Sequence, residues 1–302
     1  MRSYKQPNRI EIVYFTGTGG TKRAADMLSQ ALAERGTQVR CQELHKRKPF
    51  HYAPSDMLVI LYPVYSFNAP KPIYEFIKNL PNGNGSLAAV LSISGGGEVT
   101  PNTGCRFNTI RLLRQKGYRV PYERMLVMPS NVFLETPNDL SQLLLQVLPD
   151  KINRIATDLI SGKVRITRLN VFDRVMASVG EIEKPVSKYF GRFLRVNAGC
   201  NGCGLCERAC PMNNITLENN RPSFGNNCVI CLRCVYNCPK NSISASSFTK
   251  VITLPNGYQL GKLEQQLIEQ KDNNALIPLQ DLQSYQVPLA FYGIKKYLLE
   301  ED

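Results

Sequence analysis

The chain has no tryptophan and only two histidines, His45 and His51. Without an indole, any stacking on a flat ligand falls to tyrosine and phenylalanine. Both histidines lie near one predicted strand and are expected to face solvent, so no histidine acid–base pair is evident. No apolar run approaches the roughly 20 residues of a membrane span, and the opening MRSYKQPNRI lacks the apolar stretch of a signal peptide. A cytoplasmic protein that does not enter the membrane is the expectation. Acidic residues are scarce beside basic ones, 24 against 37, for a formal charge of +13. That balance suits nucleic acid, but no recognition motif accompanies it, and nucleic acid is set aside on that ground.

What the chain does have is cysteine in a fixed pattern. Eight of its ten cysteines form two copies of one run, Cys200-x2-Cys203-x2-Cys206-x3-Cys210-Pro211 and Cys228-x2-Cys231-x2-Cys234-x3-Cys238-Pro239, each member 28 positions after its counterpart. Three cysteines two residues apart can wrap a short loop around three corners of a cubane cluster, and the fourth corner must come from elsewhere. The runs closely resemble those of bacterial ferredoxins with two 4Fe-4S clusters, in which the last cysteine of each run ligates the other cluster. The resemblance implies that Cys200, Cys203, Cys206 and Cys238 hold one cluster, and that Cys228, Cys231, Cys234 and Cys210 hold the second. Crossed ligands suit a segment of about 55 residues that can bury little apolar area by itself. Pro211 and Pro239 stop a helix from running on through the ligand loop, and Ile215 and Ile243 are expected to pack against the clusters. Structural zinc uses CxxC pairs across a longer loop, and disulfides need an oxidising compartment. Cys41 and Cys105 are most simply free thiols: Cys41 reads as a packing residue in a strand, whereas Cys105 follows a glycine loop, where a redox role stays open.

The N-terminal half reads as a separate α/β domain. Residues 10–15, 37–44, 57–62, 87–93 and 119–128 are β-branched or apolar runs of strand length, and residues 20–35, 72–79, 108–116 and 137–160 carry helical spacing, with Gly36 ending the first helix. Strands alternating with helices predict a doubly wound five-stranded parallel sheet. Ligands of such sheets sit beyond the carboxyl ends of the strands, at the switch in strand order.

The loop after the first strand is Thr16-Gly17-Thr18-Gly19-Gly20-Thr21. It has neither the lysine of a P-loop nor the third glycine of a dinucleotide fingerprint. Its threonine pattern resembles the flavodoxin phosphate loop, where hydroxyls and backbone N–H groups at a helix N-terminus enclose the FMN phosphate; Gly20 stands where that family usually has asparagine. By position, the resemblance implies that Tyr65, Phe67 and Asn68 cover one face of the flavin ring. It also implies that Ser94, Gly95, Gly96 and Gly97 bring backbone amides to the ring's pyrimidine edge, with Asn131 lining the pocket.

Together the halves resemble the flavodoxin–ferredoxin fusion family over about residues 8–248. The expected organisation is a flavodoxin-like FMN domain at 1–162, a helical linker at 163–195, a small α+β two-cluster ferredoxin domain at 196–248, and an extension at 249–302 to which no chemistry is assigned. In the linker, Phe172, Val175, Met176 and Val179 share one helical face, and beyond Pro185 the residues Val186, Tyr189, Phe190 and Phe193 share another; both faces are expected to pack. In the extension, residues 260–271 and 291–299 are expected to be helical. The clusters bring about minus four charges and an FMN phosphate about minus two, leaving a loaded protein near +7. Basic residues still crowd the linker: Arg165, Arg168, Arg174, Lys184, Lys188, Arg192 and Arg195 face only Asp173, Glu181 and Glu183. Such a patch either steers an acidic redox partner or solvates helices. The function expected is electron transfer, coupling FMN to the clusters and exchanging electrons with a separate redox protein. The alternatives are a flavin-dependent reductase of a small oxidant, such as a quinone, nitroaromatic or flavin-like acceptor, and a cluster-based sensor.

Overall fold

The computed structural model describes residues 4–48, 50–180, 187–246, 250–273, 278–279, 282 and 287–300. Glu181, Glu183, Lys184, Pro185 and Val186, named above, lie outside them. Five strands, β1 (Arg9–Tyr14), β2 (Gln38–Glu43), β3 (Met57–Pro63), β4 (Leu87–Ser94) and β5 (Arg119–Val127), form one parallel sheet in the order β2-β1-β3-β4-β5. This is the flavodoxin-like doubly wound order, with its switch point between β1 and β3. The central strands read as unbroken apolar runs because they are covered on both faces, and all residues from Met57 to Tyr62 are buried.

Helices α1 (Gly20–Ala33) and α4 (Asn138–Ile160) cover one face with Leu28, Leu32, Ile152 and Ile155. The helices α2 (Lys71–Asn79) and α3 (Phe107–Gln115) cover the other with Ile73, Ile77, Ile110 and Leu113. That second core continues directly into the cysteine segment, where Cys210, Met212, Ile215, Val229 and Cys231 pack with Val13, Phe15 and Ile60. The cysteine segment has two small antiparallel ladders: β6 (Leu194–Val196) pairs with β9 (Ile243–Ala245), and β7 (Ile215–Glu218) pairs with β8 (Arg221–Phe224). Asn219 and Asn220 both take positive φ at the tip of the second, as a tight two-residue hairpin requires. Beyond it, the helix Leu260–Asp272 adds Leu260, Leu263 and Leu267 to the α1/α4 core, and the helix Tyr292–Leu299 adds Ile294, Tyr297 and Leu298 against α4. Among the described residues, no helix is long and apolar enough to cross a membrane.

Two expectations are corrected here. The linker does contain a helix, α5 (Val171–Val179), but its apolar face points outward: Phe172 is 56%, Val175 51% and Val179 47% exposed, whereas Asp173 and Ala177 are buried. Polar anchors set that orientation. The Asn170 side chain accepts the Asp173 N–H at 2.7 Å, and the Ala177 carbonyl accepts from Asn68 Nδ2 at 2.6 Å and Asn108 Nδ2 at 3.0 Å. After the linker, Phe190 is buried while Tyr189 and Phe193 stay exposed, because the chain makes a short 3-10 turn rather than a packed helical face. The second correction is His45, which is buried rather than facing solvent; its Nδ1 accepts the Arg47 N–H at 3.2 Å. His51 is exposed as expected.

Candidate functional site

The turn from β1 into α1 brings Thr16, Gly17, Thr18, Gly20 and Thr21 to the carboxyl end of the sheet around a cleft. Gly19 sits in the left-handed region at φ 107° and donates its N–H to Thr16 Oγ1 at 3.2 Å. A residue with a Cβ would be strained there. The first turn of α1 has no acidic side chain, so its N–H groups present an uncontested positive end. Asn131, from the loop after β5, donates to Thr18 Oγ1 at 2.8 Å.

The other predicted flavin contacts divide. Tyr65, Ser94 and Gly95 line the same cleft together with Met128, Ser130 and Tyr258. Asn68 is 1% exposed and faces α5, where it bonds Ala177 and accepts from Tyr74 and Asn108 at 3.0 Å each. Phe67, beside it, takes a left-handed φ of 60°. Gly96 and Gly97 meet the helix Tyr292–Leu299: a Cβ on Gly97 would lie 2.3 Å from the Gly293 carbonyl oxygen, so only glycine allows that approach. Glu98 anchors this loop to the fully buried Arg106, which also reaches Glu123 at 2.8 Å, Ser92 at 2.9 Å and Thr167 at 3.1 Å. Burial pushes the neighbouring Cys105 thiol up to about 11, which makes it a poor nucleophile at neutral pH.

The residues present fit the phosphate end of an FMN better than its ring. The hydroxyls and N–H groups at the start of α1 are placed for a phosphate monoester. The cleft, however, encloses only about 70 Å³, against roughly 300–1,000 Å³ for small-molecule sites in general.

The cysteine segment packs against the Gly17 side of the loop that borders this cleft. Cys210 lines one apolar cavity with Cys228, Cys231 and Cys234, which is the crossed set that the ferredoxin resemblance implies. Ile215 packs in the cluster that holds Cys210 and Cys231, and Ile243 in the one that holds Cys228, Cys234 and Cys238. Among the described residues, no three of His, Cys, Asp and Glu come close enough to hold a single metal ion. Burial pushes the Cys231 thiol up to about 12, with the charges of Cys228 and Cys210 adding. Burial likewise holds Cys234 and Cys228 high, again with neighbouring cysteines adding. These thiols ionise readily only against a cationic core. Backbone N–H groups already point at sulfur, with Asn214 N donating to Cys210 Sγ at 3.3 Å and Ser242 N to Cys238 Sγ at 3.2 Å.

Arg233, between Cys231 and Cys234, ties this segment to the loop after β1. It donates to the Gly17 carbonyl at 2.9 Å, the Thr16 carbonyl and Glu43 at 2.7 Å each, and the Ala209 carbonyl at 3.2 Å. Gly17 lies flat on the cysteine loop: a Cβ there would fall 2.7 Å from the Cys231 carbonyl oxygen and 2.8 Å from the Tyr65 hydroxyl. Nearby, Lys46 N donates to the Pro211 carbonyl at 2.9 Å, and Tyr236 Oη donates to the Asn131 carbonyl at 2.8 Å. Sequence reasoning missed Arg233, Glu43 and Tyr258, since no local pattern distinguishes them.

Residues 199–242 match the family described as a 4Fe-4S dicluster domain. A comparison with curated protein sequences finds no match. Among solved structures the chain is similar to a flavodoxin from the domain Archaea, at 14% identity over 50% of this chain and 98% of that one, with a TM-score of 0.35. It is similar to the two-electron reduced flavodoxin of Megasphaera elsdenii, at 17% identity over 49% of this chain and 98% of that one, with a TM-score of 0.34. It is also similar to general stress protein 14 of Treponema denticola, solved in complex with FMN, at 13% identity over 50% of this chain and 95% of that one, with a TM-score of 0.35. The chain joins a five-stranded parallel sheet in the flavodoxin-like order to a segment, residues 199–242, that matches a 4Fe-4S dicluster domain.

Proposed function

We propose that this protein is an electron-transfer protein in which two 4Fe-4S clusters, held by the crossed cysteine sets, work beside an FMN site and exchange electrons with a separate redox protein. The observation that carries this reading is the contact of the Cys231 loop with Gly17 of the phosphate loop, pinned by Arg233. Electron transfer falls off steeply with distance, and here the two predicted cofactor sites share a wall. Thr16, Thr18, Thr21 and the N-terminus of α1 would hold the phosphate, and Tyr65 with Gly95 would border the ring. When bound, FMN supplies the exchange between two-electron and one-electron chemistry that the clusters lack.

The rest is work for the protein's own groups. Val229, Met212 and Ile215 exclude water from the Cys210–Cys231 side, which raises the importance of each nearby charge and N–H group for potential. Arg233 places a fixed positive charge near the clusters, balanced by Glu43. The reductase reading needs an open apolar pocket beside the flavin with a proton donor. Anaerobic purification with iron, sulfide and released-flavin quantification tests the proposal. About eight iron, eight sulfide and one FMN per chain, with interacting cluster signals in EPR, is the expected result. Zinc in place of iron overturns it, and full iron without flavin removes its FMN half.

A further inference from the structure

The proposed exchange needs a place where the partner touches the protein. We propose that an acidic redox protein docks on residues 188–195, directly over Cys228, so that external electrons enter the same cluster that faces the phosphate loop. The inference rests on the carrier reading above.

Three observations carry it. First, this surface is apolar and exposed against expectation: Tyr189 is 42% and Phe193 45% exposed, while Phe190 between them is buried among Cys206, Cys228 and Cys234. An exposed aromatic pair beside a buried one is the composition of an interface core. Second, the segment's own charges have one sign. Lys188 Nζ lies 4.7 Å and the Arg192 guanidinium 5.7 Å from the Tyr189 ring centroid, Arg195 follows, and residues 187–196 contain no carboxylate. The loop around the other cysteine run has no such bias, because residues 197–209 carry only Glu207 and Arg208. Third, the backbone of this segment lies directly on Cys228. The Cys228 N–H donates to the Lys188 carbonyl at 3.2 Å, and a Cβ on Gly191 would lie 3.6 Å from the Cys228 Cβ. Close docking here brings a partner's centre to the cluster across this backbone and the Phe190 side chain.

The positive rim steers an acidic carrier into place, and the tyrosine and phenylalanine fix it once water is expelled. In the transfer, the reduced cluster loses one electron and the oxidised carrier gains one. No bond forms or breaks, and no proton is required.

The test uses the full cluster-loaded chain, reduced with dithionite and mixed in stopped flow with an oxidised acidic plant-type ferredoxin. The expected second-order rate falls at least about tenfold between roughly 20 and 300 mM salt. A Lys188→Glu/Arg192→Glu variant is expected to lose at least about tenfold at low salt and to show little salt dependence, while keeping iron content, EPR and its rate with a small neutral quinone. Wild-type rate and salt response in that variant overturn the docking site. So does a loss that appears instead on Arg208→Glu beside the other run. A wild-type chain that reduces the quinone but no acidic carrier overturns the carrier reading itself, and docking with it.

Discussion

Replacing Arg233 with methionine is expected to loosen the contact between the cysteine segment and the phosphate loop more than any other single change there. The methionine keeps most of the stem but removes the guanidinium, which is 12% exposed and pairs with Glu43, itself 9% exposed. Removing one partner of a buried ion pair costs about 3–5 kcal/mol, because the other charge is left buried. Lys48 also reaches Glu43 at 2.7 Å and softens that loss. Against this, the Thr16, Gly17 and Ala209 carbonyls each lose a charged donor, so a net cost of about 3–4 kcal/mol is expected. At about 2–4 °C per kcal/mol, thermal unfolding of the cluster-loaded protein should shift down by about 6–16 °C. A double-mutant cycle with Glu43→Gln isolates the pair, and a coupling above about 1 kcal/mol is expected. Arg233→Lys keeps the charge but not the fork of donors and should fall between. A cost under about 1 kcal/mol for Arg233→Met, with no coupling to Glu43, would refute the reasoning.

Crossed ligation predicts that Cys210→Ser perturbs the same EPR signal as Cys228→Ser, whereas Cys238→Ser perturbs the one affected by Cys200→Ser; pairing by sequence run instead would reverse this. For His45, burial holds the imidazole below its ordinary range, although Glu43 pulls the other way. The unfolded imidazole titrates near pH 6.5 and takes up its proton first, so stability present above that pH is lost as the pH falls through it toward the folded value. Urea unfolding between about pH 7.5 and 5.5 should therefore show a decline that His45→Gln flattens. Asn68→Leu removes a donor to Ala177 and an acceptor of Tyr74 and Asn108. It should cost about 2–3 kcal/mol in denaturant unfolding, and hydrogen exchange should rise first in α5.

Much of the frame was legible because its cause is local. The apolar runs from Met57 to Tyr62 and from Leu87 to Ile93 can only be strands buried on both faces, and the cysteine spacing carries a cage size with it. Helix α5 was legible as a helix and misread in orientation, since the groups that turn it, Asn68 and Asn108, lie about 60 to 110 residues away in sequence. Hydrophobic periodicity says which residues share a face, but not whether that face has a partner. His45 was misread for the same reason, being buried by contacts with the cysteine segment such as the Lys46–Pro211 hydrogen bond. Tyr258 lines the cleft and Gly293 meets the Gly96–Gly97 turn, each from a segment whose own sequence carries no chemical signal.

The helices Leu260–Asp272 and Tyr292–Leu299 complete cores begun by α1 and α4, so the cysteine segment is flanked in sequence by two parts of one packed unit. During synthesis the cysteines leave the ribosome before the residues that cover that unit. At about 5–20 residues per second, the 53 residues from position 247 through Leu299 follow about 3–11 s later. Iron–sulfur assembly therefore has an interval in which the ligand loops are out but not yet clamped. Shortening it by faster translation, or lengthening it by slow codons after residue 246, should change the fraction of chains that carry iron without altering a single amino acid.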